Sequence, residues 1–337
     1  MGEWSPGGVL ICQTGPVSSW LVTGGAGYIG AHVVRALAAV GITPVVYDDL
    51  SSGFAGFVPD GVPFVQGDIL DVETLTETLS AHECAGVVHV AGFKYAGVSV
   101  SRPLHTYNQN VTGTAKVLDA MHRAGVNKMV FSSSAAVYGT PETELVTEDS
   151  PTRPESPYGE SKLIGEWLIA DVARAWPEFA GVSLRYFNVV GSATDEVYDA
   201  SPHNLFPIVI EALLAGRTPR VNGTDYPTTD GSCVRDYLHV GDLAVSHVAA
   251  AQALEVGRPL RPAYNLGSGD GLSVLQIMDA VRRVTGMDFS PEVGPRRPGD
   301  PARIVADGQA AARDLDWRMR YTLDEMVRSA WDARRAH

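Results

Sequence analysis

The segment Thr23-Gly24-Gly25-Ala26-Gly27-Tyr28-Ile29-Gly30 constrains this chain more than any other. It follows Trp20-Leu21-Val22-Thr23, an apolar run that reads as a buried strand. It leads into a helical pattern in which Ile29, Val33, Leu37 and Val40 share a face until Gly41 stops it. Gly25, Gly27 and Gly30 fit the spacing G-x-G-x-x-G. Residues without side chains let a backbone turn tightly against a pyrophosphate, which then rests on the positive end of the helix. Strand, turn and helix in that order predict a dinucleotide site contacted by Gly24, Gly27, Tyr28, Ile29 and Gly30.

The alternation continues. Pro44-Val45-Val46-Tyr47, Val87-Val88-His89-Val90, Met129-Val130-Phe131 and Ser183-Leu184-Arg185-Tyr186-Phe187 read as strands. Helical patterns lie between them, at about 71–82, from Pro103 to about Gly125, and from Tyr158 to about Trp176. Strands joined by helical crossovers predict an α/β fold, a Rossmann-like doubly wound parallel sheet. After Asn188 the rhythm loosens, and Ser273 with Gln276 makes a capping box for a helix near 272–285. The expected organisation is a flexible extension over 1–19, with order from Trp20, and a dinucleotide-binding domain over 20–187 to which 236–266 returns. A smaller mixed α/β substrate lobe takes 188–235 and 267–337.

A net charge of −13 denies the chain the basic footprint that nucleic acid or an anionic membrane needs. No apolar run approaches the roughly 18 residues that span a bilayer. Cys12, Cys84 and Cys233 have no paired spacing and the nine histidines no zinc-type spacing. Neither disulfides nor a metal is expected, and a reduced cytoplasmic setting is.

Asp48 closes the second strand 18 residues past Gly30, near the offset of about 20 at which an acid meets the adenosine ribose. A carboxylate there binds a ribose diol and repels a 2′-phosphate, which favours NAD over NADP; Asp49 could take the same role. Asp68 ends the next strand-like stretch, in reach of an adenine amino group. Tyr158 and Lys162, four apart at a predicted helix start, lie on one face. A neighbouring ammonium favours phenolate, so the tyrosine pKa is expected to move from about 10 toward neutrality. Such a phenol exchanges a proton with a hydroxyl while hydride moves to or from nicotinamide. Ser132-Ser133-Ser134 ends a strand, where ligands gather in this fold.

Together with GDI (67–69), HVAGFK (89–94), NVTGT (110–114), FSSSAAVYG (131–139) and LRYFN (184–188), these segments resemble the extended short-chain dehydrogenase/reductase superfamily. TGGAGYIG and SPYGESK (156–162) mark only that superfamily. DYPTTDGSCVRDYLHV (225–240), taken with FSSSAAVYG and RRPGD (296–300), is more specific and resembles the UDP-glucose 4-epimerase (UDP-galactose 4-epimerase) family, from Trp20 to about Ala333.

The resemblance implies tightly held NAD and interconversion of UDP-glucose and UDP-galactose through a 4-keto sugar. It implies Tyr158 as acid/base, Lys162 on the nicotinamide ribose and Ser134 on the sugar 4-oxygen. Asp48, Asp68, Ile69, Lys94, Asn110 and Tyr186 match positions around the cofactor. Asn188, Asn204, Leu205, Arg235, Arg297 and Asp300 match positions around the UDP-hexose. Two arginines can clamp a diphosphate, although Arg235 and Arg297 could instead pair with Asp236 or Asp300. A homodimer is implied on the helices at 103–124 and 158–176, yet Leu104, Val111, Leu118, Leu163 and Trp167 could equally face the chain's own sheet.

Three positions depart from the family. Asn222 stands where relatives often have an aromatic beside uracil, Cys233 where many have Gly, and Ile304 leaves N-acetylated sugars open. A 4-epimerase of UDP-GlcNAc/GalNAc or UDP-xylose/arabinose, or a net NAD-dependent sugar-nucleotide dehydrogenase, are the alternatives. Dehydration is disfavoured, because Ala135 and Ala136 stand where 4,6-dehydratases carry an Asp-Glu pair.

Overall fold

The structure, a computed structural model, describes residues 18–143, 145–296 and 301–337. The expected extension therefore lies outside the described residues as far as position 17. Strand β1 (Ser19–Thr23) starts one residue earlier than the apolar run suggested. Helix α1 (Tyr28–Ala39), β2 (Thr43–Asp48), β3 (Phe64–Gln66), α2 (Val72–Ala81) and β4 (Cys84–His89) follow. Asp71 caps α2 by accepting from the Thr74 N–H at 3.1 Å.

The patterned run from Pro103 is not one helix. Short α3 (Ala96–Ser99) and α4 (Pro103–Tyr107) lead into a π-turn at Asn108–Thr112, and only then comes α5 (Gly113–Ala124). One widened turn re-aims a side chain at little cost, and here it carries Asn110. Next are β5 (Lys128–Ser134), β6 (Leu145–Val146), α6 (Pro157–Ala175), β7 (Ala180–Tyr186) and β8 (Asn188–Val190). The remainder comprises α7 (Leu205–Leu214), β9 (Arg220–Asn222), β10 (Val234–Arg235), β11 (Tyr237–His239), α8 (Val240–Glu255) and β12 (Ala263–Leu266). Then come β13 (Leu272–Ser273), α9 (Val274–Thr285), β14 (Glu292–Gly294), β15 (Arg303–Ala306), α10 (Gln309–Asp314) and α11 (Leu323–Arg335).

Seven parallel strands form the main sheet in the order β12-β7-β5-β4-β1-β2-β3. Successive side chains point to opposite faces, and both faces are covered, so the middles of these strands are largely apolar on both sides. Trp20, Val22, Val46, Val88 and Val130 pack with Leu37 and Leu243. Their neighbours Leu21, Val45, Val87, Met129 and Phe131 pack on the opposite side with Leu75, Leu118 and Met121. The strand order reverses between β1 and β4, the switch point at which such sheets bind ligands beyond their carboxyl ends.

A second, mixed sheet runs β13-β10-β15-β6, next to a core of Ile210, Val221, Ile277, Met278 and Trp331. Segments cross between the two assemblies. Strand β6 joins the small sheet from inside 20–187, while Ala310, Leu315 and Trp317 pack into the core beside α1 and α8. The capping box forms, with Ser273 Oγ accepting from Gln276 N (3.1 Å) and Gln276 Oε1 from Ser273 N (2.8 Å). Leu272 lies before it, paired in β13 with Arg235.

Candidate active site

The strands' carboxyl ends open into a cavity of about 750 Å3, within the usual range for a small-molecule site. The glycine turn shapes one part of it. Gly24 has φ +72°, and a Cβ there would sit 2.7 Å from the Ala91 nitrogen; a Cβ on Gly30 would sit 2.0 Å from the Gly24 carbonyl oxygen. Backbone occupies the space a side chain would need. Gly27 begins α1 with no side-chain cap, so the first N–H groups of the helix are left for an anion against the cavity-lining Gly27, Tyr28, Ile29 and Gly30.

Asp48 is buried at the edge of this turn. Its carboxylate accepts from Ala26 N (3.0 Å) and Leu50 N (2.8 Å), and burial raises its pKa against the pull of those bonds. Asp49 also lines the cavity but is exposed, with a carboxylate that accepts from Ser51 N (2.8 Å). Ile69 lines the cavity, whereas Asp68 is exposed beside it and accepts from Leu70 N (2.9 Å). A cradle without side chains, an uncapped helix start and a buried acid fit an adenine dinucleotide with a free 2′-hydroxyl.

The reactive groups stand on α6. Ser156 caps the helix by accepting from Gly159 N (3.2 Å), Pro157 takes the first turn, and the Ser99 hydroxyl accepts from Tyr158 N (3.1 Å). Tyr158 and Lys162 are both buried on the face toward β5. Lys162 Nζ donates to the Ser132 carbonyl at 2.9 Å and lies 5.9 Å from the centroid of the Tyr158 ring. Burial lowers the Lys162 pKa to about 8.

The Ser134 side chain hydrogen-bonds that of Tyr158, and its Oγ accepts from Ala136 N (3.2 Å). The expected fall in the Tyr158 pKa is not found. Burial raises it, and the bond from Ser134 offsets only part of the rise. Desolvation of a phenolate is the larger of the two effects. Tyr186 lines the cavity as well, and its phenol is raised by burial and then by Tyr158.

His89 is a core spacer. Its ring nitrogens lie 2.7 Å from Thr23 Oγ1 and 3.0 Å from Thr114 Oγ1, and burial pushes its pKa down to about 3. Lys94 lines the cavity, but Asn110 does not. The Asn110 amide is spent on Phe93, accepting from its N–H (2.7 Å) and donating to its carbonyl (3.0 Å), and on Ser161 Oγ (2.8 Å). It therefore fixes the loop that presents Lys94.

The segments after β7 bring Asn188, Asn204, Leu205 and Arg235 to the same cavity. Asn188 donates to the Asp236 carbonyl (2.9 Å) and Asn204 to the Asp199 carboxylate (2.8 Å). The Asp236 carboxylate is buried and accepts from Ser268 N and Oγ and from Ala306 N. Asn222 and Cys233 line the cavity too. Ile304 pairs with Arg235 across the small sheet and packs on the same cluster as the cavity residue Phe187. Arg297 and Asp300 lie outside the described residues.

Residues 20–267 match the NAD dependent epimerase/dehydratase family. The chain belongs to this family. The UDP-glucose 4-epimerase of Erwinia amylovora is 41% identical over 328 residues, 93% of this chain and 97% of that one. A solved UDP-glucose-4-epimerase from Stenotrophomonas maltophila, with bound NAD and formylated UDP-arabinopyranose, superposes with a TM-score of 0.90 at 38% identity, covering 95% of this chain and 98% of its own. The UDP-glucose 4-epimerase from Bifidobacterium longum in complex with NAD+ and UDP gives 0.85 at 35% identity, with coverage of 94% and 98%.

For a member of the epimerase/dehydratase family, several cavity residues went unread in the sequence. Ser51 and Ser52 line it beside Asp48 and Asp49, and their position after the second strand was a usable signal. Tyr95, Asp199 and His203 also line it; they sit in irregular loops whose sequence has no period to read. Among the described residues, no group of three or more potential metal ligands forms and no helix is long and apolar enough to cross a membrane.

Proposed function

We propose that this protein is an NAD-dependent isomerase that interconverts UDP-glucose and UDP-galactose at sugar carbon 4. One observation carries the reading: Ser134 bonded to Tyr158, with Lys162 buried behind them, in a cavity shared with the glycine turn and Arg235. NAD supplies an acceptor that takes a hydride and returns it, so no net oxidation results. Tyr158 draws the proton of the 4-hydroxyl, through or beside Ser134, as the 4-keto sugar forms, and gives it back to the inverted alcohol. Lys162 offsets the negative charge that Tyr158 carries as phenolate, before it takes the proton and again after it returns it. Asp48 selects the unphosphorylated ribose. Arg235, Asn188 and the start of α7 hold the UDP part, which leaves the less-gripped sugar free to present its other face.

We take the working form to be a cytoplasmic homodimer. Leu104 and Trp167, 84% and 57% exposed, lie on the mutually packed α4 and α6, while Leu118 and Leu163 are buried in the chain's own cores. Cys84, a buried thiol outside any disulfide, supports a reducing compartment. Incubation with UDP-galactose should yield UDP-glucose without accumulation of reduced cofactor. Stoichiometric reduced cofactor would make the protein a net dehydrogenase, and parallel UDP-GalNAc and UDP-arabinose reactions resolve the sugar.

A further inference from the structure

Two loops from opposite lobes meet along the cavity wall. One follows β4 and carries Phe93, Lys94 and Tyr95; the other precedes α7 and carries Asp199 and His203. The Tyr95 and His203 rings stand edge to face with centroids 4.7 Å apart. Phe93 continues the row, 5.5 Å from Tyr95 and 5.1 Å from His105 on α4. Lys94 lies over the Tyr95 ring at 5.6 Å. Asp199 is half-buried; burial raises its pKa, and the Asn204 bond and the Lys94 charge pull against that rise.

Each loop is separately tied down. Asn110 clamps both backbone groups of Phe93, and Asp199 accepts from Asn204 Nδ2 (2.8 Å) and Ser201 N (3.0 Å). Two anchored loops that touch each other and line one cavity form a bridge between the lobes. The ring contact that joins the two loops is weak by itself, and a charge effect between partly exposed groups adds little to it.

We propose that the Tyr95–His203 ring contact, with the Lys94 charge facing the Asp199 side of the bridge, is a latch that keeps the dinucleotide resident from one turnover to the next. The proposal rests on the functional reading above. It deepens that reading by naming the residues that separate a held cofactor from an exchanging one.

The test compares whole protein carrying Tyr95→Ala, His203→Ala, Asp199→Asn or the ring-keeping Tyr95→Phe and His203→Phe. The readouts are dinucleotide retained after gel filtration, its exchange against isotopically labelled NAD, and the melting midpoint. The alanine variants and Asp199→Asn should exchange dinucleotide about three- to tenfold faster, as loss of one such contact implies, while the phenylalanine variants match wild type. Unchanged exchange in the alanine variants overturns the latch, as does equal acceleration in the phenylalanine variants. Should the alanine variants fail to fold, Asp199→Asn decides alone: faster exchange supports the latch and unchanged exchange overturns it. Wild-type protein that carries and binds no dinucleotide would refute the functional reading instead.

Discussion

Glu166 grips Arg185 in a doubly bonded, nearly buried ion pair one helical turn beyond Lys162, with Oε1 2.9 Å from Nε and Oε2 2.6 Å from Nη2. The same carboxylate accepts from Ser133 Oγ (2.5 Å), and Arg185 Nη1 donates to Tyr138 Oη (2.7 Å). Tyr158, Lys162 and Glu166 share one face of α6, so this network sets where the helix sits over β5 and β7.

Removal of Glu166 alone should be severe. Glu166→Ala leaves the Arg185 charge buried without its partner, and the cost expected is about 3–5 kcal/mol. Urea unfolding measures it. Replacing both residues with leucines should recover much of the loss, because the uncompensated charge disappears with its partner.

Tyr158→Phe should lower turnover by about 10²–10⁴-fold, the usual contribution of a positioned proton-transfer group. Dinucleotide should still be bound, since the glycine turn and Asp48 are untouched. Stopped-flow turnover with a parallel count of bound dinucleotide checks both halves; near-normal turnover would remove Tyr158 from its role.

Acid should destabilise the fold well above the carboxylate range. Burial lowers His32 and His247 to about 4 and His89 and His239 to about 3. Below the ordinary histidine value of about 6.5 the unfolded chain takes up protons that the folded one refuses, so stability falls with falling pH. Each such histidine adds a slope of up to about 1.4 kcal/mol per pH unit between about pH 6.5 and its folded value. Urea midpoints from pH 7 down to 4.5 should fall steeply, and His247→Gln should flatten the curve.

Gly30→Ala should cost both fold and cofactor. The new methyl would sit 2.0 Å from the Gly24 carbonyl oxygen, backbone against backbone. A penalty of about 1–3 kcal/mol is expected for such overpacking. Dinucleotide content after purification should drop in parallel. Gly41→Ala, which meets nothing within 4 Å, serves as the control for a strained glycine far from the site.

The sequence by itself determined the parts that local periodicity encodes. The apolar runs named the strands, Gly24 to Gly30 named the turn that needs missing side chains, and the four-residue step from Tyr158 to Lys162 named a shared helix face. These follow from neighbours along the chain, where 3.6-residue and two-residue repeats leave a direct mark.

Tertiary structure alone decided what lies between elements. It turned Asn110 away from the cavity and onto Phe93, split Leu104 and Trp167 from the buried Leu118 and Leu163, and joined Glu166 to Arg185 across α6 and β7. It also reversed the expected direction of the Tyr158 pKa. Which groups meet depends on strand order and helix packing, and what a charge costs depends on how much water every surrounding segment excludes. Both are sums over the whole fold, and no single stretch of residues carries them.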